Sequence, residues 1–116
     1  QDVHIHAPEG AVPKDGPSAG LAIAAALASA WTGRPLSSEV ALTGEVTLRG
    51  RVLAVGGLRE KLLAVQRAGL KVAVVPEANR QETRGLPESL LRAVKIRFVS
   101  HALEALEIAF ADRRES

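Results

Sequence analysis

Ser18 stands in Pro13-Lys14-Asp15-Gly16-Pro17-Ser18-Ala19-Gly20, a run of mostly small residues where a loop gives way to a long Ala-rich stretch. A serine hydroxyl is a weak nucleophile until a base removes its proton. Lys61 comes farther along, in Gly56-Gly57-Leu58-Arg59-Glu60-Lys61-Leu62-Leu63-Ala64. A lysine that has lost its own proton can be that base. Between them lies Thr43, in Thr43-Gly44-Glu45, whose hydroxyl could hold a lysine nitrogen in place. The Ser18–Lys61 pairing makes the chain look like part of a peptidase.

Each residue also has a plainer reading. Ser18 falls where a helix is expected to begin, so it could serve as an ordinary N-terminal cap. The same place offers free backbone N–H groups and a helix dipole that would stabilise an oxyanion. Lys61 lies three residues after Leu58 and four before Val65, which puts it toward the apolar face of its helix. Burial there would disfavour the ammonium, whereas a lysine at the edge of the face would reach out to water. Thr43 is β-branched and suits the middle of a strand for that reason alone.

The elements that must position these residues can be read from periodicity. Asp2 to Ala7 alternates as a strand, with Val3 and Ile5 on one face and His4 and His6 on the other. Pro8 to Gly16 is a loop, Asp15 a candidate cap and Pro17 a first-turn residue. From Pro17 to about Trp31 nearly every residue is small or apolar, which predicts a central helix buried on all sides. Val40 to Leu48 and Arg51 to Val55 read as two strands around an Arg49-Gly50 turn. A helix runs from Gly56-Gly57 to about Ala68 and stops at Gly69. Lys71 to Val75 is a buried strand ending at Pro76, and Glu77 to Arg92 is short helical turns and loop. Lys95 to Val99 is a further strand. A terminal helix starts at Ser100 or His101, with Ala102, Leu103, Leu106 and Phe110 inward. This alternation predicts a single α/β (α+β) domain over residues 1–116, with a mixed sheet and a central buried helix.

Composition narrows the function. The chain has 116 residues, 47% of them hydrophobic, enough for one core. The net charge of +2 comes from scattered basic residues, and only Trp31, Phe98 and Phe110 are aromatic. Nucleic-acid binding would call for a basic stripe with stacking platforms, so the composition argues against it. With no Cys, thiolate metal sites and disulfides are excluded. His4 and His6 share a strand face, but no third metal ligand stands near them, so an ordinary pair of strand residues is expected. No apolar run reaches membrane-spanning length and no secretory signal is visible, so the expected setting is cytoplasmic without membrane contact. The chain lacks Met and starts directly in a strand, which leads us to expect part of a longer protein.

The segments around Ser18, Thr43 and Lys61 closely resemble the catalytic signatures of the Lon proteases. The Lys14-Asp15-Gly16-Pro17 that precedes the serine is similar to the A-type, bacterial and mitochondrial branch. The likeness runs from about Asp2 through the terminal helix. It implies the Lon proteolytic-domain fold (ribosomal protein S5 domain 2-like) and a serine endopeptidase with a Ser–Lys dyad. By matching position, Ser18 would be the nucleophile, Lys61 the general base and Thr43 the residue that orients Lys61. Asp15 would lie in the loop that family members rearrange between inactive and active forms. Backbone around Asp15, Gly16 and Pro17 up to Ser18 would form the oxyanion hole. Lys14, His4 and His6 also fit the family pattern, with no chemical role assigned.

The resemblance further implies a protein-quality-control protease acting on unfolded polypeptides, including misfolded and regulatory proteins, and assembled as a homohexameric ring. It implies no cofactor in this domain, because ATP and Mg²⁺ would be used by an ATPase module; a G-x-x-x-x-G-K-[ST] loop is absent from this sequence. The first part of the proteolytic domain is also expected to lie upstream of Gln1. Two other readings compete. A small-molecule kinase of the homoserine and mevalonate kinase family would use a phosphate loop resembling Pro13 to Ala26, but would leave Lys61 without a task. A catalytically silent Lon-like assembly module would have no use for Ser18, Lys61 and Thr43 together.

Overall fold

A computed structural model describes residues 18–111. The expected strand Asp2–Ala7, the Pro8–Gly16 loop, Lys14, Asp15, Gly16 and Pro17 lie outside these residues. Among the described residues the chain runs β1 (Ser18–Gly20), α1 (Leu21–Thr32), β2 (Val40–Leu42), β3 (Glu45–Thr47), β4 (Val52–Leu53) and α2 (Leu58–Arg67). It continues through β5 (Val72–Pro76), a 3₁₀ helix (Glu77–Gly85), α3 (Glu88–Ala93), β6 (Lys95–Val99) and α4 (Ala102–Ala111). The α/β class expected from the alternation of elements is what forms.

The strand β5 is central. Val72-Ala73-Val74-Val75 is a continuous apolar run, as a strand covered on both faces requires. It pairs in parallel with β2 on one side and β6 on the other. Alternation along β5 sends Ala73 and Val75 toward Leu58, Leu62 and Val65 of α2 and toward Leu90 and Val94, in and just after α3. Val74 points the other way, toward Leu21 of α1, Ala105 of α4 and the apolar residues Val46 and Val52. These last two belong to the second sheet, antiparallel in the order β1-β3-β4. The core therefore has two halves on either side of one three-stranded parallel sheet.

The single strand expected over Val40–Leu48 is in fact two, broken at Thr43-Gly44. Gly44 has φ of +107°, a conformation that L side chains rarely adopt. A Cβ there would lie 2.9 Å from Cγ of Pro76. The close approach of Pro76 and the turned backbone carry the chain from the parallel sheet into the antiparallel one. The hairpin of β3 and β4 is as expected, but shorter. Gly50, at φ +89°, donates its N–H to the Thr47 carbonyl at 2.9 Å, and Thr47 donates to the Arg51 carbonyl at 2.9 Å.

Helix α1 differs from expectation at its start and in its burial. It begins at Leu21, after β1, with Gly20 as N-cap and no side-chain cap; the expected start was Pro17. The Leu21 N–H is satisfied by the Gly44 carbonyl at 2.8 Å. Only Leu21 and Ala25 are buried, whereas Ile23, Leu27 and Trp31 are exposed, Trp31 at 90%. An all-apolar helix has no face that its sequence singles out. Here the neighbours are β1, β2, β3 and α4, and they cover one stripe of it.

The remaining helices lie close to their expected positions. Helix α2 starts after Gly57 (φ +66°) and is followed by Gly69 (φ +78°). The polar stretch expected to form short turns becomes the 3₁₀ helix and α3. In α4 the buried residues are Ala105, Ala109 and Phe110, while Leu103, expected to face inward, is 63% exposed. Leu103 precedes Ala105 by two residues, a rotation of about 200°, so the two must point opposite ways.

Candidate active site

The proposed nucleophile opens β1. Ser18 pairs with Thr47 of β3 in antiparallel register, followed by Ala19 with Val46 and Gly20 with Glu45. It therefore precedes the first residue of α1 by three positions and lies in a strand, which corrects the expectation of a serine at a helix N-terminus. The reason is the partner: β3 lies far along the chain and its pairing extends β1 up to Gly20. Only the backbone of Ser18 is among the described features. Asp15, Gly16 and Pro17, expected to shape the oxyanion hole, precede the described residues.

Thr43 sits where the two sheets meet. It is buried, and its N–H donates to the Val74 carbonyl at 3.1 Å. Its hydroxyl donates to that same carbonyl at 2.7 Å. The hydroxyl proton is thus committed to β5, while the oxygen keeps lone pairs that can accept a bond from an ammonium or amine. In this register Ser18-Ala19-Gly20 lies beside Glu45-Val46-Thr47, so Gly20 meets the Thr43-Gly44-Glu45 segment at Glu45, while Ser18 stands opposite Thr47, four residues beyond Thr43. The two sequence-predicted segments thus meet at the Gly20–Glu45 pair, with Thr43 just past the end of β2 and Ser18 at the far end of β1.

Lys61 is the fourth residue of α2, and its N–H donates to the Gly57 carbonyl at 3.1 Å. Its side chain is exposed, not buried with Leu58, Leu62 and Val65. At about 100° per residue the centre of that apolar stripe lies roughly 65° from Lys61, so the lysine stands at the edge of the buried face. Among the described residues no hydrogen bond joins its amine to Thr43. The structure supplies the helix and its anchoring; the expected orienting contact is not among its bonds.

Asn79 is a feature that sequence reading missed. It is 3% exposed, and its carboxamide forms a two-bond pair with the Val55 peptide: Val55 N–H to Oδ1 at 2.9 Å and Nδ2 to the Val55 carbonyl at 3.0 Å. Nδ2 also donates to Glu82. Its place in a run of charged residues gave no sign of burial.

The sequence matches, over residues 1–112, the family described as Lon protease (S16) C-terminal proteolytic domain. The chain belongs to the Lon proteolytic-domain family. Among its Lon relatives, the Lon protease of Dictyoglomus thermophilum is 50% identical over 115 residues, covering 99% of this chain and 14% of that protein. Lon protease 1 of Thermus thermophilus is 54% identical over 107 residues, 92% of this chain and 14% of the relative. Lon protease 1 of Bacillus subtilis is 52% identical over 114 residues, 98% of this chain and 15% of the relative. The chain thus spans about one seventh of the length of these Lon proteins. Among its described residues no helix is long and apolar enough to cross a membrane.

Proposed function

We propose that this chain is the catalytic portion of a serine endopeptidase in which Ser18 and Lys61 form a dyad. The observation that carries the reading is the coincidence of a Lon proteolytic-domain match along nearly the whole chain with Ser18, Thr43 and Lys61 in their expected motifs. The pairing of β1 with β3, which joins the Ser18 segment to the Thr43 segment at Gly20 and Glu45, supports it.

In the proposed cycle the neutral amine of Lys61 takes the Ser18 proton as the Ser18 oxygen attacks the scissile carbonyl carbon. Backbone N–H groups around Asp15 to Ser18 hold the resulting oxyanion. Collapse of the tetrahedral intermediate breaks the C–N bond, and Lys61 returns the proton to the departing amine. A water then attacks the ester, giving its proton to Lys61, and the released Ser18 oxygen recovers a proton from Lys61. Thr43 accepts a hydrogen bond from the Lys61 nitrogen while its own hydroxyl continues to donate to the Val74 carbonyl.

The longer protein would couple this chemistry to ATP and Mg²⁺ in a separate module. It would feed unfolded polypeptide to a ring of six such domains in the cytoplasm. The dyad itself is tested by a peptide boronate, which forms a covalent tetrahedral adduct with an activated serine. Mass spectrometry should place the adduct on Ser18, with none in Ser18→Ala and weaker capture in Lys61→Ala. An adduct on another residue, or equal capture by Ser18→Ala, would refute the assignment.

A further inference from the structure

We propose that Asn79 is a positioning residue for Lys61, acting through the Val55 peptide; this rests on the dyad reading above. The sheet pairing of β4 ends at Leu53, opposite Glu45. Two residues later the chain has no strand partner, and the Asn79 carboxamide takes that role, accepting from the Val55 N–H and donating to the Val55 carbonyl. The second Nδ2 hydrogen goes to Glu82, so each polar atom of the buried carboxamide is engaged and its orientation is set.

The two glycines after Val55 make this anchor matter. Gly56 and Gly57 have no side chains with which to hold the backbone, and a Cβ at Gly56 would meet nothing within 4 Å. Gly57 then turns the chain at φ +66° into α2, and its carbonyl receives the Lys61 N–H. The position of Lys61 along and around α2 is therefore referred back, through two pliant residues, to Val55. On the other side Asn79 belongs to the 3₁₀ helix that starts directly after Pro76. Pro76 is the residue packed against Gly44, beside Thr43. The carboxamide thus bridges two parts of the site: the end of β5, against which Thr43 is fixed, and the entry to the helix that carries Lys61. Val55 and Asn79 have no need of catalytic chemistry themselves. Their role is to keep the Lys61 helix in register with the Thr43 strand.

The test measures steady-state peptide hydrolysis and thermal melting on the full-length protein. The variants are Asn79→Ala, Glu82→Ala, Ser18→Ala and Lys61→Ala. Misplacing a catalytic group by about 1 Å can cost on the order of a hundredfold in rate. Asn79→Ala, assayed well below its melting temperature, should therefore lose about ten- to a hundredfold in kcat while KM stays within about twofold. A folded Asn79→Ala with the parent kcat and only a lower melting temperature would overturn the proposal. If Asn79→Ala does not fold, Glu82→Ala decides. A fall in kcat at the parent melting temperature supports the bridge, and an unchanged kcat refutes it. Failure of the dyad reading is distinguishable, because Lys61→Ala would then retain activity whatever Asn79→Ala does.

Discussion

Thr43 uses both its N–H and its hydroxyl on one carbonyl, that of Val74, at the point where the chain leaves one sheet for the other. A buried hydroxyl without its partner costs more than a bond is worth, so the pair is a fixed feature of the site's floor. Thr43→Val keeps the shape and removes the hydroxyl bond. It should lower unfolding stability by about 1 kcal/mol in urea titrations, because the Thr43 N–H still satisfies Val74. Thr43→Ser should retain most of that stability. If Thr43 also accepts from Lys61, Thr43→Val must lose far more peptidase rate than stability, whereas a parallel loss of both would leave Thr43 purely structural. Lys61 itself illustrates how little rotation separates two chemistries. A position near the centre of the Leu58, Leu62, Val65 stripe would be dry, and the edge position it occupies is open to solvent.

At the scale of elements, α4 is held by a cap at its N-terminus. The Glu104 carboxylate accepts from the Ser100 N–H at 2.8 Å and the His101 N–H at 3.1 Å. The Ser100 bond first and the His101 bond second hold its acid below the ordinary glutamate value of 4.5. A carboxyl depressed in the folded state stabilises the fold above the unfolded value, and that contribution is lost as pH falls through the folded value. Glu104→Gln should therefore lower the melting temperature at neutral pH, and the difference from the parent should vanish in strong acid. A difference that stays constant with pH would contradict the cap. Much of this layer was legible in the sequence. Strand β6 has its expected limits, β5 is offset by one residue at each end, and α2 lies between Gly57 and Gly69, because glycines, Pro76 and unbroken apolar runs mark them locally. The parts that were not legible depended on distant partners. Ser18 joins a strand because β3 reaches it, α1 is covered on one stripe because of the elements packed there, and Thr43-Gly44 breaks a strand because Pro76 approaches. Asn79 is buried because a bare peptide at Val55 needs a partner, which no local pattern announces. The proposed nucleophile, base and orienting threonine could be picked out because their motifs are contiguous, whereas any contact among them depends on segments far apart in sequence.

At the scale of the whole molecule, the chain is a Lon proteolytic domain that spans about one seventh of its relatives. One parallel sheet separates two halves of the core. The α2 half carries Lys61 and also holds Val55, the partner of Asn79, whereas the half containing β1 and β3 carries Ser18; Thr43 bonds to β5 between them. The proposed peptide-bond chemistry needs these parts in register. The Ser18–Lys61 dyad is best probed by hydrolysis of an unstructured peptide by the full-length protein carrying Ser18→Ala or Lys61→Ala, with and without a small primary amine. Both substitutions should lower kcat by at least about a thousandfold. Added amine, supplying the missing base, should restore part of the rate to Lys61→Ala and none to Ser18→Ala. Near-parental turnover in Lys61→Ala without amine, or undiminished cleavage by Ser18→Ala, would contradict the dyad.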